Sequence, residues 1–81
     1  MDTRVAVISI IVEDSDAVNE LNRLLHEYSE YIIGRMCNPY KKKNVNIISV
    51  AIDAPVDKIN ALTGSLGRVK GLTAKAAYAN K

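Results

Sequence analysis

Two segments restrict this chain more than anything else in it: RVAVISIIV, residues 4–12, and VNIISVAIDA, residues 45–54. Both are short and rich in β-branched residues, the composition of strands rather than helices. Both are also apolar at odd and even positions alike. In the first, Ala6, Ile8, Ile10 and Val12 alternate with Val5, Val7 and Ile11; in the second, Ile48, Val50 and Ile52 alternate with Val45, Ile47 and Ala51. Successive side chains of a strand point to opposite faces, so strands of this kind call for burial on both sides of their sheet.

The remaining segments set what can supply that burial. In DSDAVNELNRLLHEYSEYI, residues 14–32, Val18, Leu21, Leu25, Tyr28 and Ile32 recur at three-to-four spacing, widened by Ala17 and Leu24. This predicts an amphipathic helix capped by Asp14, Ser15 or Asp16. Its polar face carries Asn19, Asn22, Arg23, His26 and Glu30, with His26 and Glu30 spaced for an i,i+4 pair. YIIGRMC, residues 31–37, predicts a strand ended by Asn38-Pro39, and Pro39 to Asn44 a polar hairpin connection. In APVDKINALTGSLG, residues 54–67, Val56, Ile59, Leu62 and Leu66 lie at helical spacing, with Pro55 in the first turn and Gly67 as the C-terminal cap. GLTAKAAYA, residues 71–79, alternates Leu72, Ala74, Ala76 and Tyr78 and reads as a last strand.

The order β-α-β-β-α-β predicts a ferredoxin-like α+β fold, an antiparallel four-stranded sheet with two helices on one face. The first and third strands are central in that topology, and here they are the two most apolar ones. Helices cover one face only, which leaves an apolar face in need of a cover. The expectation is a homo-oligomer, dimer or tetramer, joined through the sheet. Chain length points the same way. The 81 residues form one domain, 1–81, near the lower limit for independent folding. One cysteine closes no intrachain disulfide, and one cysteine with one histidine makes no four-ligand zinc site. A partner subunit is the staple that remains.

Composition excludes several function classes. The longest apolar run, Val5 to Val12, is interrupted by Ser9 and falls far short of the roughly 20 residues of a membrane span. It runs directly into Glu13-Asp14 with no cleavage-like site, so the expectation is a cytoplasmic protein without a signal peptide. A net charge of +2, from 11 basic and 9 acidic residues, argues against direct nucleic-acid binding. No Walker-type loop, nucleophile elbow or metal-ligand pair at helical spacing occurs, so neither an enzyme nor a cofactor is expected.

Four smaller features bear on chemistry. GSLGRVKG contains a G-x-x-G core, as in the backbone clamp of KH domains, but the element order is wrong for that fold. Glu13, Asp14 and Asp16 have the ligand type for a hard cation, and equally suit helix capping. Cys37 offers a soft ligand or redox thiol, with His26 as a second metal ligand if several subunits contribute; its plainer role is a small strand residue. Arg35 and the Lys41-Lys42-Lys43 hairpin offer phosphate contacts, though lysines there also suit a solvated tip that discourages edge pairing.

Beyond these features, LLHEYSEYIIGRM, Pro39-Tyr40, VNIISVAIDAP and INALTGSLGRVKGLTAKAAY resemble a known family, the iron-only hydrogenase system regulators. The resemblance runs from the first strand to Tyr78. The family takes its name from gene association, so the resemblance implies a regulatory role and names no ligand. It is in turn similar to ACT-type regulatory domains and to the C-terminal domain of nickel-responsive repressors, ferredoxin-like modules that associate through sheets and bind small effectors or metal at subunit interfaces. The family commonly has Gly where this chain has Cys37. The nickel site needs several histidines plus a cysteine, and is not carried over. No helix-turn-helix or ribbon-helix-helix segment is present, so operator recognition would need another chain. On this resemblance, a small effector or partner protein would meet Glu13, Asp14 and Ser15 of the first strand-helix loop and Arg35, Cys37 and Asn38 of the second strand. No metal-ligand set and no catalytic residue is assigned.

Overall fold

The computed structural model describes residues 2–80. Along the chain run β1 (Arg4–Val12), a 3-10 turn (Ser15–Ala17), α1 (Val18–Glu27), a second 3-10 turn (Ser29–Tyr31), β2 (Ile32–Tyr40), β3 (Val45–Ala54), α2 (Val56–Gly67) and β4 (Leu72–Tyr78). The strands form one antiparallel sheet in the order β2-β3-β1-β4. This is the expected ferredoxin-like α+β arrangement, with β1 and β3 in the centre.

Strand alternation builds the core. Ala6, Ile8, Ile10 and Val12 of β1 and Ile48, Val50, Ile52 and Ala54 of β3 are buried on the helix-bearing face. Leu21, Leu24 and Leu25 of α1 and Ile59, Leu62 and Leu66 of α2 close over them. No polar or charged residue among those described is buried, so the interior is held by apolar burial and carries no desolvated charge.

Several boundaries differ from the sequence-based expectation. The first helix stops at Glu27 rather than continuing to Ile32. Tyr28 leaves helical geometry (φ −108°, ψ 15°), and the Tyr31 N–H donates to the Tyr28 carbonyl at 3.0 Å in the following 3-10 turn. Tyr28 and Ile32 still pack on the core, which is why their spacing mimicked a longer helix. Glu30 therefore leaves helical register with His26, and the i,i+4 pair does not form. Of the expected caps, Asp14 serves, but for the 3-10 turn: its Oδ1 accepts the Asp16 N–H at 2.9 Å.

The second strand does not end at Cys37. Asn38 pairs opposite Ile47, Pro39 opposite Asn46 and Tyr40 opposite Val45. A proline is tolerated because β2 is an edge strand with a free side. The connection shrinks to Lys41–Asn44, closed by the Asn44 N–H on the Lys41 carbonyl at 3.2 Å, with Asn44 in the left-handed region (φ 56°). Pro55 is the N-cap of α2 rather than a first-turn residue, and its carbonyl accepts the Lys58 and Ile59 N–H groups. Gly67 lies within α2, capped by Arg68, and the G-x-x-G core is helix rather than loop. The glycine that a turn requires is Gly71, at φ +83° just before β4.

Candidate functional site

The sheet face without helices carries six of the eight exposed large hydrophobic side chains among the described residues. Val5, Val7 and Ile11 of β1, Ile47 of β3 and Met36 and Tyr40 of β2 each expose 42–62% of their surface there. Register places them together: Ile11 lies opposite Ile47, Met36 opposite Ser49 and Val7 opposite Ala51. Gly34 and Ala51 leave a shallow depression of about 390 Å³ beside Val7 and Met36. Charges stay towards its margins, with Lys75 on edge strand β4 and Asp53 near the end of β3.

A bulge in β2 decides which of its residues join this face. Ile32 pairs with Ile52, but Gly34 pairs with Ala51, so Ile33 is one residue extra. The inserted residue inverts the alternation. Ile32, Arg35, Cys37 and Pro39 share the helix side although Arg35 and Cys37 lie an odd number of residues from Ile32; Gly34, Met36, Asn38 and Tyr40 share the open face. Without the bulge, the Arg35 charge would sit among Val7, Ile11 and Ile47. With it, Arg35 turns back over α1, where its Nη2 donates to Asn22 Oδ1 at 3.4 Å.

The six effector-contact candidates are thus spread over four settings. Asp14 is occupied by its cap, and its Cβ would lie 2.3 Å from a Cβ built on Gly71. The Glu13 N–H donates to the Gly71 carbonyl at 2.7 Å, tying the end of β1 to the start of β4. Ser15 meets Pro39, Tyr40 and Lys41 around a small cleft of about 90 Å³. Arg35 and Cys37 lie on the helix side of the β2 edge, with the Cys37 thiol exposed, whereas Asn38 is on the open face opposite Ile47. Among the described residues no group of three or more His, Cys, Asp or Glu side chains could hold a metal ion, so metal ligands would have to come from more than one subunit. Met36 and Tyr40 were not among the sequence-derived site residues. Their place on the open face depends on the bulge, which leaves no signal in the residue pattern.

The charges of α1 are engaged away from these regions. Arg23 donates to Glu20 at 2.7 and 2.8 Å and also pairs with Glu27. The Arg23 hydrogen bond holds the Glu20 carboxyl below its ordinary range, and Glu20 in return raises Arg23. All three are solvent-exposed, so the cluster adds little to stability.

The family model of TM1266-like iron-only hydrogenase system regulators matches residues 4–76, from the first residue of β1 into β4. The chain belongs to this family. The solved structure of the uncharacterised protein TM1266 from Thermotoga maritima has a TM-score of 0.91 at 32% identity, covering 95% of this chain and 98% of that one. The ACT domain of GTP pyrophosphokinase from Chlorobium tepidum has a TM-score of 0.77 at 22% identity, over 93% of this chain and 99% of that one. A formyltetrahydrofolate deformylase from Pseudomonas putida KT2440 shares the fold at a TM-score of 0.68 and 12% identity, over 95% of this chain but 29% of that one. No curated protein sequence matches. The family is one of iron-only hydrogenase system regulators, the likeness to the ACT domain shows the fold, and no helix among the described residues is long and apolar enough to cross a membrane.

Proposed function

We propose that this family member is a non-enzymatic, cytoplasmic regulatory domain that assembles as a dimer or tetramer through its open sheet face. It senses a small effector or a partner protein in the control, including transcriptional control, of an iron-only hydrogenase system. The observation that carries the reading is the apolar row Val7, Ile11, Ile47 and Met36, exposed on a sheet whose other face is covered by the helices over its central strands. Exposed patches of this kind on a small domain are interaction surfaces. A second copy fits because the patch is apolar across central and edge strands, and isologous pairing buries the same residues from both subunits.

An effector bound beside such an interface acts only through its different affinity for the assembled and separated states. The proposed contacts are Glu13, Asp14 and Ser15 after β1 with Arg35, Cys37 and Asn38 of β2. Asn38 sits on the assembly face, whereas Arg35 and Cys37 approach from the outer edge. Sedimentation velocity at micromolar concentration, with native mass spectrometry of protein from its own host, tests the proposal. A stable monomer retaining no small molecule removes it.

A further inference from the structure

A second concave surface lies between α1 and the start of β2, away from the open sheet face. It is a groove of about 340 Å³, lined by Asn22, Leu25, His26, Ser29, Ile32 and Arg35. Leu25 is buried and Ile32 half-buried, so the floor is apolar, and the walls carry polar groups from three successive elements. The volume falls in the lower part of the roughly 300–1,000 Å³ range of small-molecule sites, which combine apolar walls with a few convergent polar groups.

The polar groups include several donors, and they are exposed and sparsely engaged. Arg35 makes one long contact to Asn22 and pairs with no carboxylate among the described residues. The nearby acids of α1, Glu20 and Glu27, are taken by Arg23, and no acidic residue lines the groove. Neither the His26 ring nor the Ser29 hydroxyl has a hydrogen-bond partner among the described residues, whereas Glu20, Asn22, Arg23 and Glu27 of α1 do. A guanidinium fork accepts a two-oxygen anion in bidentate fashion. The bulge at Ile33 is what aims Arg35 into this groove, and bulges that re-aim one side chain recur next to functional sites.

The geometry points to a binding groove for a small oxyanion, a carboxylate or phosphate group held by Arg35 with His26, Ser29 and Asn22 around it. This deepens the effector-sensing reading and rests on it, but it needs only the single chain. A failed binding experiment therefore leaves sheet-mediated assembly standing, and a monomeric protein leaves the groove testable.

Amide NMR titration of the full chain tests the site, with inorganic phosphate and acetate in separate arms and sodium chloride at matched ionic strength as the reference. The expected result is saturable shifts confined to Asn22, His26, Ser29 and Arg35, at on the order of 1 mM. Saturation by phosphate alone assigns a phosphate-bearing ligand, by acetate alone a carboxylate, and by both their shared oxyanion chemistry. Arg35→Gln, at an exposed position, is expected to weaken binding about tenfold or more, and Arg68→Gln on the far side of α1 to leave it unchanged. Shifts no different from those of chloride, or binding that survives Arg35→Gln in a variant with a native spectrum, would overturn the assignment.

Discussion

Replacing Ile47 with aspartate tests the proposed assembly face separately from the fold. Ile47 is in central strand β3, opposite Ile11, and is 45% exposed in the single chain. Full burial of an isoleucine is worth about 1.5–3 kcal/mol, so the half still exposed is worth roughly 1 kcal/mol when a partner covers it. A two-fold interface contains the residue twice, which makes about 2 kcal/mol lost through the missing side chains. Two carboxylates would also be desolvated, and even at only 1 kcal/mol each the total reaches about 4 kcal/mol. That corresponds to roughly a thousandfold weaker association. Within one subunit, a poor strand former at a half-exposed position costs about 1 kcal/mol. The variant should therefore remain folded while dissociating. Sedimentation equilibrium across a concentration series reads the association constant, and circular dichroism melting of dilute protein reads the fold. Ile47→Asp assembling with wild-type affinity, while melting normally, would refute the sheet face as the interface.

Further outcomes follow from particular contacts. Gly71→Ala combines a left-handed backbone (φ +83°) with a Cβ placed 2.3 Å from that of Asp14; strain and overpacking together should cost about 2–5 kcal/mol in a chemical denaturation curve. Gly64→Ala, exposed in α2 with open space around its Cα, should instead stabilise by up to about 1 kcal/mol in the same assay. Cys37, exposed on the helix side of β2, should be alkylated completely in the assembled protein without loss of assembly; protection of the thiol would move the interface to the β2 edge. Glu20 should titrate below an ordinary glutamate by NMR, and Arg23→Ala should restore it. Because the folded-state value is the lower one, this interaction is complete above the usual carboxylate range and is lost as pH falls through the folded value; at so exposed a pair, acid should change the Glu20 resonance and barely change the melting curve.

The sequence by itself determined the fold class and its unusual feature. β-branched strands apolar at both parities, separated by two helix-period segments, allow few arrangements, and the two-helix, four-stranded sheet places the most apolar strands in the centre. Strand alternation alone then identified Val5, Val7, Ile11 and Ile47 as a second apolar face, because parity is a local property of a regular strand.

Tertiary structure decided everything that depends on a break in regularity. Tyr28 and Ile32 pack on the core from outside the helix, so helical spacing alone could not place the stop at Glu27. Pro39 reads locally as a terminator, and only its location in an edge strand allows pairing to run on to Tyr40. The left-handed glycine is Gly71 rather than the helix-end Gly67, and Asp14 packs against it from a segment distant in sequence. The most consequential break is the bulge at Ile33. One extra residue in the β2–β3 pairing exchanges the two faces of the strand beyond it, moving Arg35 off the apolar sheet and into a groove with His26, and bringing Met36 and Tyr40 onto the open face. Register is set by the partner strand and by side-chain burial, so no window of the β2 sequence read in isolation contains it.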